Sequence, residues 1–234
     1  MSVCVIIPAR LDSTRLPRKV LCDIGGKPMV QHVYEAVALA QCCPEVFVAT
    51  GDTEVLEVVQ SFGGKAVLTQ GDHQSGTDRI AEVARSLVHE IVVNVQADEP
   101  LVDGAEIDRI VGAFTDESVE IATLSRPLVS QDELLDRNRV KVLTRANGDA
   151  HSFSRSAQLY APSLVTMGNP RIHLGIYAYR RKRLLAFAEA PRGVGEVAES
   201  LDLSMCLTVS TASRATTRAR RPFQSRIAKS LIWG

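Results

Sequence analysis

Short apolar runs alternate with amphipathic stretches along the first half of the chain. The runs 3–7, 45–50 and 90–96 are almost continuously apolar, which is typical of parallel strands buried on both faces. Apolar residues at helical spacing predict helices over 29–41, 53–62 and 77–88, the second capped by Asp52 or Thr53. The alternation predicts an α/β fold with a doubly wound, mostly parallel sheet, in which ligands bind at the carboxyl ends of the strands.

The pattern changes beyond residue 125. Residues 139–143, 150–155 and 171–179 are predicted strands without full-length helices between them, which indicates an antiparallel extension. We therefore divide the chain into an α/β core (1–125), an antiparallel extension (126–190), the start of a returning helix (191–202) and an atypical basic tail (203–234).

The tail differs from the rest of the chain in composition. The chain has 27 basic and 27 acidic residues, but every acidic residue precedes residue 203 and six basic residues follow it. The tail is rich in Arg, Ser, Thr and Ala without clear periodicity, so we expect it to be disordered. A frameshift is the favoured explanation, and a basic tail that contacts acidic lipid or nucleic acid is the alternative.

Composition excludes several classes of protein. No apolar run approaches the roughly 20 residues of a membrane span, and the first strand begins without a leader segment. The five cysteines have no CxxC spacing and do not indicate a zinc site or a disulfide framework. We therefore expect a cytoplasmic protein without a membrane span and without a nucleic-acid partner.

The segment 8–19, here called the basic loop, follows the first predicted strand. It combines the cations Arg10, Arg15 and Lys19 with the hydroxyls of Ser13 and Thr14, a set that can neutralise a triphosphate. It has neither the GxxxxGK[ST] spacing of a Walker loop nor the GxGxxG of a dinucleotide site. Nucleotidyl transfer is therefore the favoured chemistry.

Carboxylates follow the strand at 90–96. Mg²⁺ takes one or two carboxylates together with phosphate oxygens and water, so Asp98 at this sheet edge is a candidate metal ligand, and Glu99 a weaker one. The alternative is that the pair caps the next segment.

The segment 75–79 combines hydroxyls, a glycine and an arginine at a predicted helix start. Exposed amides there can bind base carbonyls or phosphate. The alternative is an ordinary helix start, with Thr77 as the N-cap and Asp78 as a favourable charge in the first turn.

Four stretches carry a resemblance to a known family. Residues 10–19 are similar to R-x-x-S-T-R-L-P-x-K, and residues 72–79 to D-H-x-S-G-T-[DE]-R. Residues 94–100 are similar to N-V-Q-G-D-E-P, and residues 173–180 to H-x-G-I-Y-[AG]-Y-R. In this order the motifs resemble those of the 3-deoxy-manno-octulosonate (Kdo) cytidylyltransferases, the CMP-Kdo synthetases, and the resemblance runs from residue 2 to about residue 201.

The resemblance implies a nucleotide-diphospho-sugar transferase-like fold, in which the core (1–125) binds the nucleotide and the extension (126–190) binds the sugar and forms a homodimer. It also implies an Mg²⁺-dependent enzyme that makes CMP-Kdo and diphosphate from CTP and Kdo for lipopolysaccharide biosynthesis. The implied catalytic residues are Arg10, Lys19 and Asp98, with Asp98 also the metal ligand. The implied nucleotide contacts are Ala9, Arg10, Ser13, Arg15, Lys19, Ser75, Gly76, Arg79 and Gln96, and the implied sugar contacts are Lys141, Arg155 and His173.

Two departures from the family pattern stand out. Ala97 replaces the glycine of Q-G-D-E-P, which would be strained if the backbone there required a positive φ. The closing motif G-[VI]-D-T-P-[ED]-D-L is absent, and with it an aspartate that the family uses as a further metal ligand. The missing aspartate leaves open a non-catalytic protein that only binds CTP. The motifs do not separate Kdo from 8-amino-Kdo or another acid sugar as the substrate, although the sialate synthetases differ in having a shorter loop that contains more Gly and Ser.

Overall fold

One sheet of nine strands dominates the described part of this computed structural model, which comprises residues 1–13, 16–42, 45–71, 73, 75–157 and 170–190, with the backbone alone at 209–212. A separate hairpin pairs β2 with β3. In chain order the strands are β1 (Val3–Ala9), β2 (Asp23–Ile24), β3 (Lys27–Pro28), β4 (Glu45–Thr50), β5 (Ala66–Leu68), β6 (Ile91–Asn94), β7 (Ile121–Pro127), β8 (Lys141–Thr144), β9 (Ala150–Ser154), β10 (Pro170–Arg180) and β11 (Val209–Ala212).

Helices cover both faces of this sheet. They are α1 (Met29–Ala38), α2 (Thr53–Ser61), α3 (Gly76–Ser86), α4 (Gly104–Gly112), α5 (Gln131–Leu135) and α6 (Arg181–Glu189). Alternate β1 residues point to opposite faces, as a strand requires: Val5 and Ile7 pack in a cluster with α1, α2 and α4, whereas Cys4 and Ile6 pack with α3 and α6. The predicted doubly wound α/β arrangement is confirmed.

The strand order is β11-β7-β10-β6-β1-β4-β5. The pairs β1/β4, β1/β6, β4/β5 and β7/β11 are parallel, and only the pairs made by β10 along this path are antiparallel. The carboxyl ends of β1 and β6, which are neighbours, therefore open at the same edge of the sheet. This edge is where the sequence analysis places the ligand.

The predicted antiparallel extension is also present. Strand β8 pairs antiparallel with both β9 and β10. The carboxyl-terminal half of β10 lies between β6 and β7 inside the central sheet, so the sheet runs continuously across residue 125. Within the described residues, no helix is both long enough and apolar enough to cross a membrane.

One segment of the basic tail differs from the expectation of disorder. Residues Val209–Ala212 form β11, which pairs in parallel with β7 from Ile121 to Leu124. The sequence there, Val-Ser-Thr-Ala, includes β-branched residues, which favour strands, and β7 offers it a free edge. For these four residues the expectation is corrected. The predicted returning helix and the remainder of the tail lie outside the described residues.

Candidate active site

A cleft of about 520 Å³ opens at the carboxyl ends of β1 and β6, beside the start of α3. Arg15 lies outside the described residues. Asp12, Leu16 and His73, which the sequence analysis did not single out, line the cleft as well. Glu99, the weaker candidate metal ligand, does not line the cleft. The structure brings together there the other predicted nucleotide and metal residues: Ala9, Arg10, Ser13, Lys19, Ser75, Gly76, Arg79, Gln96 and Asp98.

The basic loop is held at both ends by bonds to α2 and to itself. The Leu11 N–H donates to Asp52 Oδ2 at 2.9 Å, and the Arg18 N–H donates to Leu11 O at 2.9 Å. The Arg18 guanidinium forms an ion pair with Glu54, and this bond lowers the pKa of the Glu54 carboxyl. Asp52 occupies the N-cap position of α2 as predicted, but its side chain makes no capping bond.

Arg18 adopts an unusual backbone conformation. Its φ is 59°, and no other non-glycine residue in the described part of the chain has a positive φ. Such a conformation costs an L-residue roughly 1–2 kcal/mol.

Ala97 is not among the residues with a positive φ, so the alanine at this position causes no backbone strain of the kind considered above.

Lys19 and Asp98 meet in the cleft. Lys19 Nζ lies 2.8 Å from Asp98 Oδ2, and the two side chains are 34% and 47% exposed. A pair this exposed contributes at most about 1 kcal/mol to stability, so both groups can exchange partners readily. The lysine suits a phosphate oxygen, and the carboxylate suits a divalent cation.

The start of α3 forms one wall of the cleft. Ser75, rather than Thr77, is the N-cap, because its Oγ accepts from the Asp78 N–H at 3.1 Å. A methyl group on Gly76 would lie 3.2 Å from Pro8 Cγ and 3.9 Å from Gln96 Nε2. The glycine therefore permits a close approach of α3 to the end of β1.

Two further side chains of this wall are held in place by hydrogen bonds. Arg79 Nη1 donates to Thr69 Oγ1 at 2.6 Å. His73 Nε2 lies 2.6 Å from Glu82 Oε2, and Glu82 also accepts from the N–H groups of Gln70 and Gly71. The bond from Gln70 contributes most to the lowered pKa of Glu82. Sequence reasoning missed His73 and Glu82, although His73 lies within the motif at 72–79.

Lys141, a predicted sugar residue, is placed differently from the expectation. It is fully buried, and its Nζ donates to the main-chain carbonyls of Asp136, Arg139 and Arg155 at 2.7–3.0 Å. These bonds occupy the three donors of its ammonium group. In this structure Lys141 therefore ties together two loops of the extension and does not line the cleft. Arg155 Nη1 donates to Asn138 O at 3.4 Å, and Arg155 does not line the cleft either.

His173 lies on β10 where the strand extends past the end of β6. Tyr177 is paired with Asn94, the last residue of β6, and His173 lies four residues earlier on the antiparallel strand. A β-bulge separates His173 from Tyr177 in the pairing with β7. The ring contacts Phe153 and Tyr177, with centroids at 5.2 and 5.0 Å, and burial lowers the pKa of His173 to about 3.

Comparison with known proteins identifies relatives of the chain. A family model described as cytidylyltransferase matches residues 4–208. The 3-deoxy-manno-octulosonate cytidylyltransferase of Geobacter sulfurreducens is 42% identical over 213 residues, covering 86% of this chain and 85% of the relative. The enzyme of the same name from Escherichia coli is 42% identical over 199 residues, covering 85% and 80%.

Two solved structures are similar to the chain in fold. A CMP:2-keto-3-deoxy-manno-octonic acid synthetase complexed with CTP superposes with a TM-score of 0.86 at 36% identity, covering 99% of this chain and 98% of that one. A cytidylyltransferase from Leptospira borgpetersenii, at 17% identity and a TM-score of 0.60, covers 93% and 77% and shares the fold.

Proposed function

Because this chain belongs to the 3-deoxy-manno-octulosonate cytidylyltransferase family, we propose that it transfers CMP from CTP to Kdo, giving CMP-Kdo and diphosphate. The observation that carries the proposal is the single cleft in which the basic loop, the start of α3 and Asp98 converge. These three elements provide, in that order, cations for phosphates, polar groups for a nucleoside and a carboxylate for a metal. This combination supports nucleotidyl transfer as the reaction of the chain.

The basic loop binds the triphosphate in this proposal. Arg10 and Lys19 neutralise phosphate charge, and Ser13 adds a hydroxyl donor. Lys19 exchanges its bond with Asp98 for one with phosphate. Ser75, Gly76, Arg79 and Gln96 form the wall against which the cytosine and ribose bind, so the α-phosphorus lies between this wall and the loop.

Mg²⁺ fits the residues present. Asp98 is half-exposed in the cleft, next to the predicted phosphate site, and one carboxylate suffices when phosphate oxygens and water complete the shell. Among the described residues, no group of three or more His, Cys, Asp and Glu could hold a metal, so the remaining ligands must come from the substrates or from elsewhere in the chain. The bound ion would stabilise the negative charge that develops on the transferring phosphoryl group.

The residues of the chain contribute mainly by positioning. The anomeric hydroxyl of the sugar must lie in line with the bond from the α-phosphorus to the leaving diphosphate. Arg10 and Lys19 stabilise charge on the phosphates as that bond breaks. His173 is neutral near pH 7, so it serves as a hydrogen-bonding residue for a sugar hydroxyl and not as a cation for the sugar carboxylate.

The wider setting is also part of the proposal. In this proposal the enzyme lies in the cytoplasm and its product, CMP-Kdo, is an activated sugar for lipopolysaccharide biosynthesis. A homodimer formed through the extension belongs to the same proposal and rests on the family resemblance. Light scattering on the purified chain tests the dimer: a monomeric mass would contradict it.

The experiment that tests the proposed reaction is diphosphate release by the purified 234-residue chain. CTP, Kdo and Mg²⁺ are supplied together and then omitted one at a time, and 8-amino-Kdo replaces Kdo in a parallel series. We expect release that requires all three components. A folded chain that binds CTP but releases no diphosphate with either sugar would instead establish the second candidate, a non-catalytic CTP-binding protein, which the absence of the family's closing aspartate favours.

A further inference from the structure

The start of α2 differs from those of α3, α4 and α5, which are the other helices of the described residues with an N-cap side chain that can accept a hydrogen bond. The N-cap side chains of α3, α4 and α5, which are Ser75, Asp103 and Ser130, each accept a hydrogen bond from an N–H of their own helix. Asp52 occupies the same position in α2 and has the same capability, yet its carboxylate accepts from the Leu11 N–H, 41 residues away in the basic loop. The helix gives up its own cap for a contact with the loop.

Leu11 lies at the centre of this contact. Its N–H is bound by Asp52, and its carbonyl accepts from the Arg18 N–H, so both of its main-chain polar groups are fixed. Arg18 is in turn held by Glu54, which lies in the first turn of α2. Arg10 immediately precedes Leu11, and Lys19 immediately follows Arg18. The contacts of Leu11 and Arg18 therefore fix the main-chain positions from which the two phosphate-binding side chains extend.

The contacts are anchored to the sheet. The Asp52 N–H donates to Thr50 Oγ1 at 3.1 Å, and Thr50 is fully buried at the end of β4, next to β1. Coulomb repulsion between the two carboxylates of α2 and a bound triphosphate would by itself weaken binding. Asp52 and Glu54 lie beside an anion site because their contacts hold the basic loop in place.

We propose that Asp52 and Glu54 are positioning residues for nucleotidyl transfer, which hold the basic loop so that Arg10 and Lys19 are preorganised for the triphosphate of CTP. The inference rests on the proposed function and adds two residues that touch neither substrate. Misplacement of catalytic groups by about 1 Å can lower rates by as much as 10²-fold, so loss of the contacts should be visible in the kinetics.

Asp52→Ser is the decisive variant. Serine is a good N-cap and can cap α2 itself, but its hydroxyl is about 1 Å too short to reach the Leu11 N–H within hydrogen-bond distance. We expect unchanged or raised thermal stability together with a loss of at least tenfold in kcat/KM for CTP. A residue with a merely structural role would instead show a change in stability without this kinetic loss.

Asp52→Asn and Glu57→Gln are the controls. Asparagine keeps an acceptor oxygen at the same distance and removes the charge, so activity should remain within about threefold of the unmodified chain. Glu57 is exposed on the same helix, and its neutralisation should leave both kcat and the KM for CTP unchanged. Glu54→Gln, which weakens the ion pair with Arg18, should give a smaller loss than Asp52→Ser.

Calorimetric titration with CTP distinguishes failure of the positioning role from failure of the proposed function. If the unmodified chain binds CTP and Asp52→Ser binds it as tightly and turns over as fast, the positioning role is overturned while the proposed function stands. If the unmodified chain neither binds CTP nor releases diphosphate, both are overturned. Equal kinetic losses in Asp52→Asn and Asp52→Ser would also refute positioning, because the acceptor oxygen is then irrelevant.

Discussion

Replacing Thr123 by valine tests how the fold orients His173. Thr123 is fully buried, and its Oγ1 donates to Ile176 O at 2.7 Å. Its one proton is used there, so the same oxygen must accept from His173 Nε2, which lies 2.8 Å away. His173 is thereby held in the tautomer that carries hydrogen on Nε2. Valine preserves the shape of threonine and removes both bonds.

The size of the effect follows from the groups left behind. Thr123→Val leaves the carbonyl of Ile176 and the Nε2–H of His173 without this partner, and each unsatisfied buried group costs about 1–3 kcal/mol. The free energy of unfolding should therefore fall by about 2–6 kcal/mol. Thr123→Ser keeps the hydroxyl and loses one methyl group, so it should cost about 1 kcal/mol.

Urea unfolding followed by circular dichroism measures the two losses, and ¹⁵N NMR of the histidine ring reports the tautomer directly. The reasoning predicts a larger loss for valine than for serine, and the Nε2–H tautomer of His173 in the unmodified and serine chains. Equal losses for the two variants, or a ring protonated only on Nδ1 in the unmodified chain, would refute it.

Three further predictions concern the cleft and the response to pH. Asp98→Asn should abolish Mg²⁺-dependent turnover with an unchanged urea midpoint, since the Lys19–Asp98 pair is exposed; full turnover would contradict the metal assignment. Gly76→Ala should raise the Kd for CTP severalfold in calorimetry, because the methyl group meets Pro8 at 3.2 Å and enters the cleft wall, whereas unaltered affinity would show that the wall tolerates it. The pKa of His173 is about 3 in the folded chain, against an ordinary value of 6.5. Between these pH values the unfolded chain binds a proton that the folded chain does not bind. The free energy of unfolding therefore falls as the pH drops through this window, by up to about 1.4 kcal/mol per pH unit. His173→Phe should therefore lose less stability than the unmodified chain when urea midpoints are compared at pH 7 and 5, and an equal loss would be the contrary result.

Local sequence patterns were sufficient to predict much of the fold. The continuous apolar runs at β1 and β6 identify buried parallel strands because both faces of each are covered by helices. Helix α4 was not predicted, although Asp103 and Glu106 form a capping box whose spacing is visible in the sequence. Residues 209–212 were expected to be disordered from the composition of the whole tail, which outweighed the β-branched residues of one short segment.

The site was predictable where its residues lie in contiguous motifs. Arg10, Lys19, Gln96 and Asp98 all follow strands whose carboxyl ends meet, so topology brings them to one cleft. The role of Asp52 could not be predicted from the sequence around it, because its partner is the main-chain N–H of a residue 41 positions away. The role of Lys141 was not predicted for a different reason: its partners are main-chain carbonyls, whose positions depend on how the extension folds.

The most direct test of the central claim is ³¹P NMR of a reaction that contains the full chain, CTP, Kdo and Mg²⁺. Transfer of CMP breaks the bond between the α-phosphorus and the diphosphate. The account predicts that the three CTP resonances decline together while free diphosphate and one new phosphodiester resonance, that of CMP-Kdo, rise in equal amounts. CTP that stays intact in the presence of folded protein, or that is converted to CDP and phosphate, would contradict it.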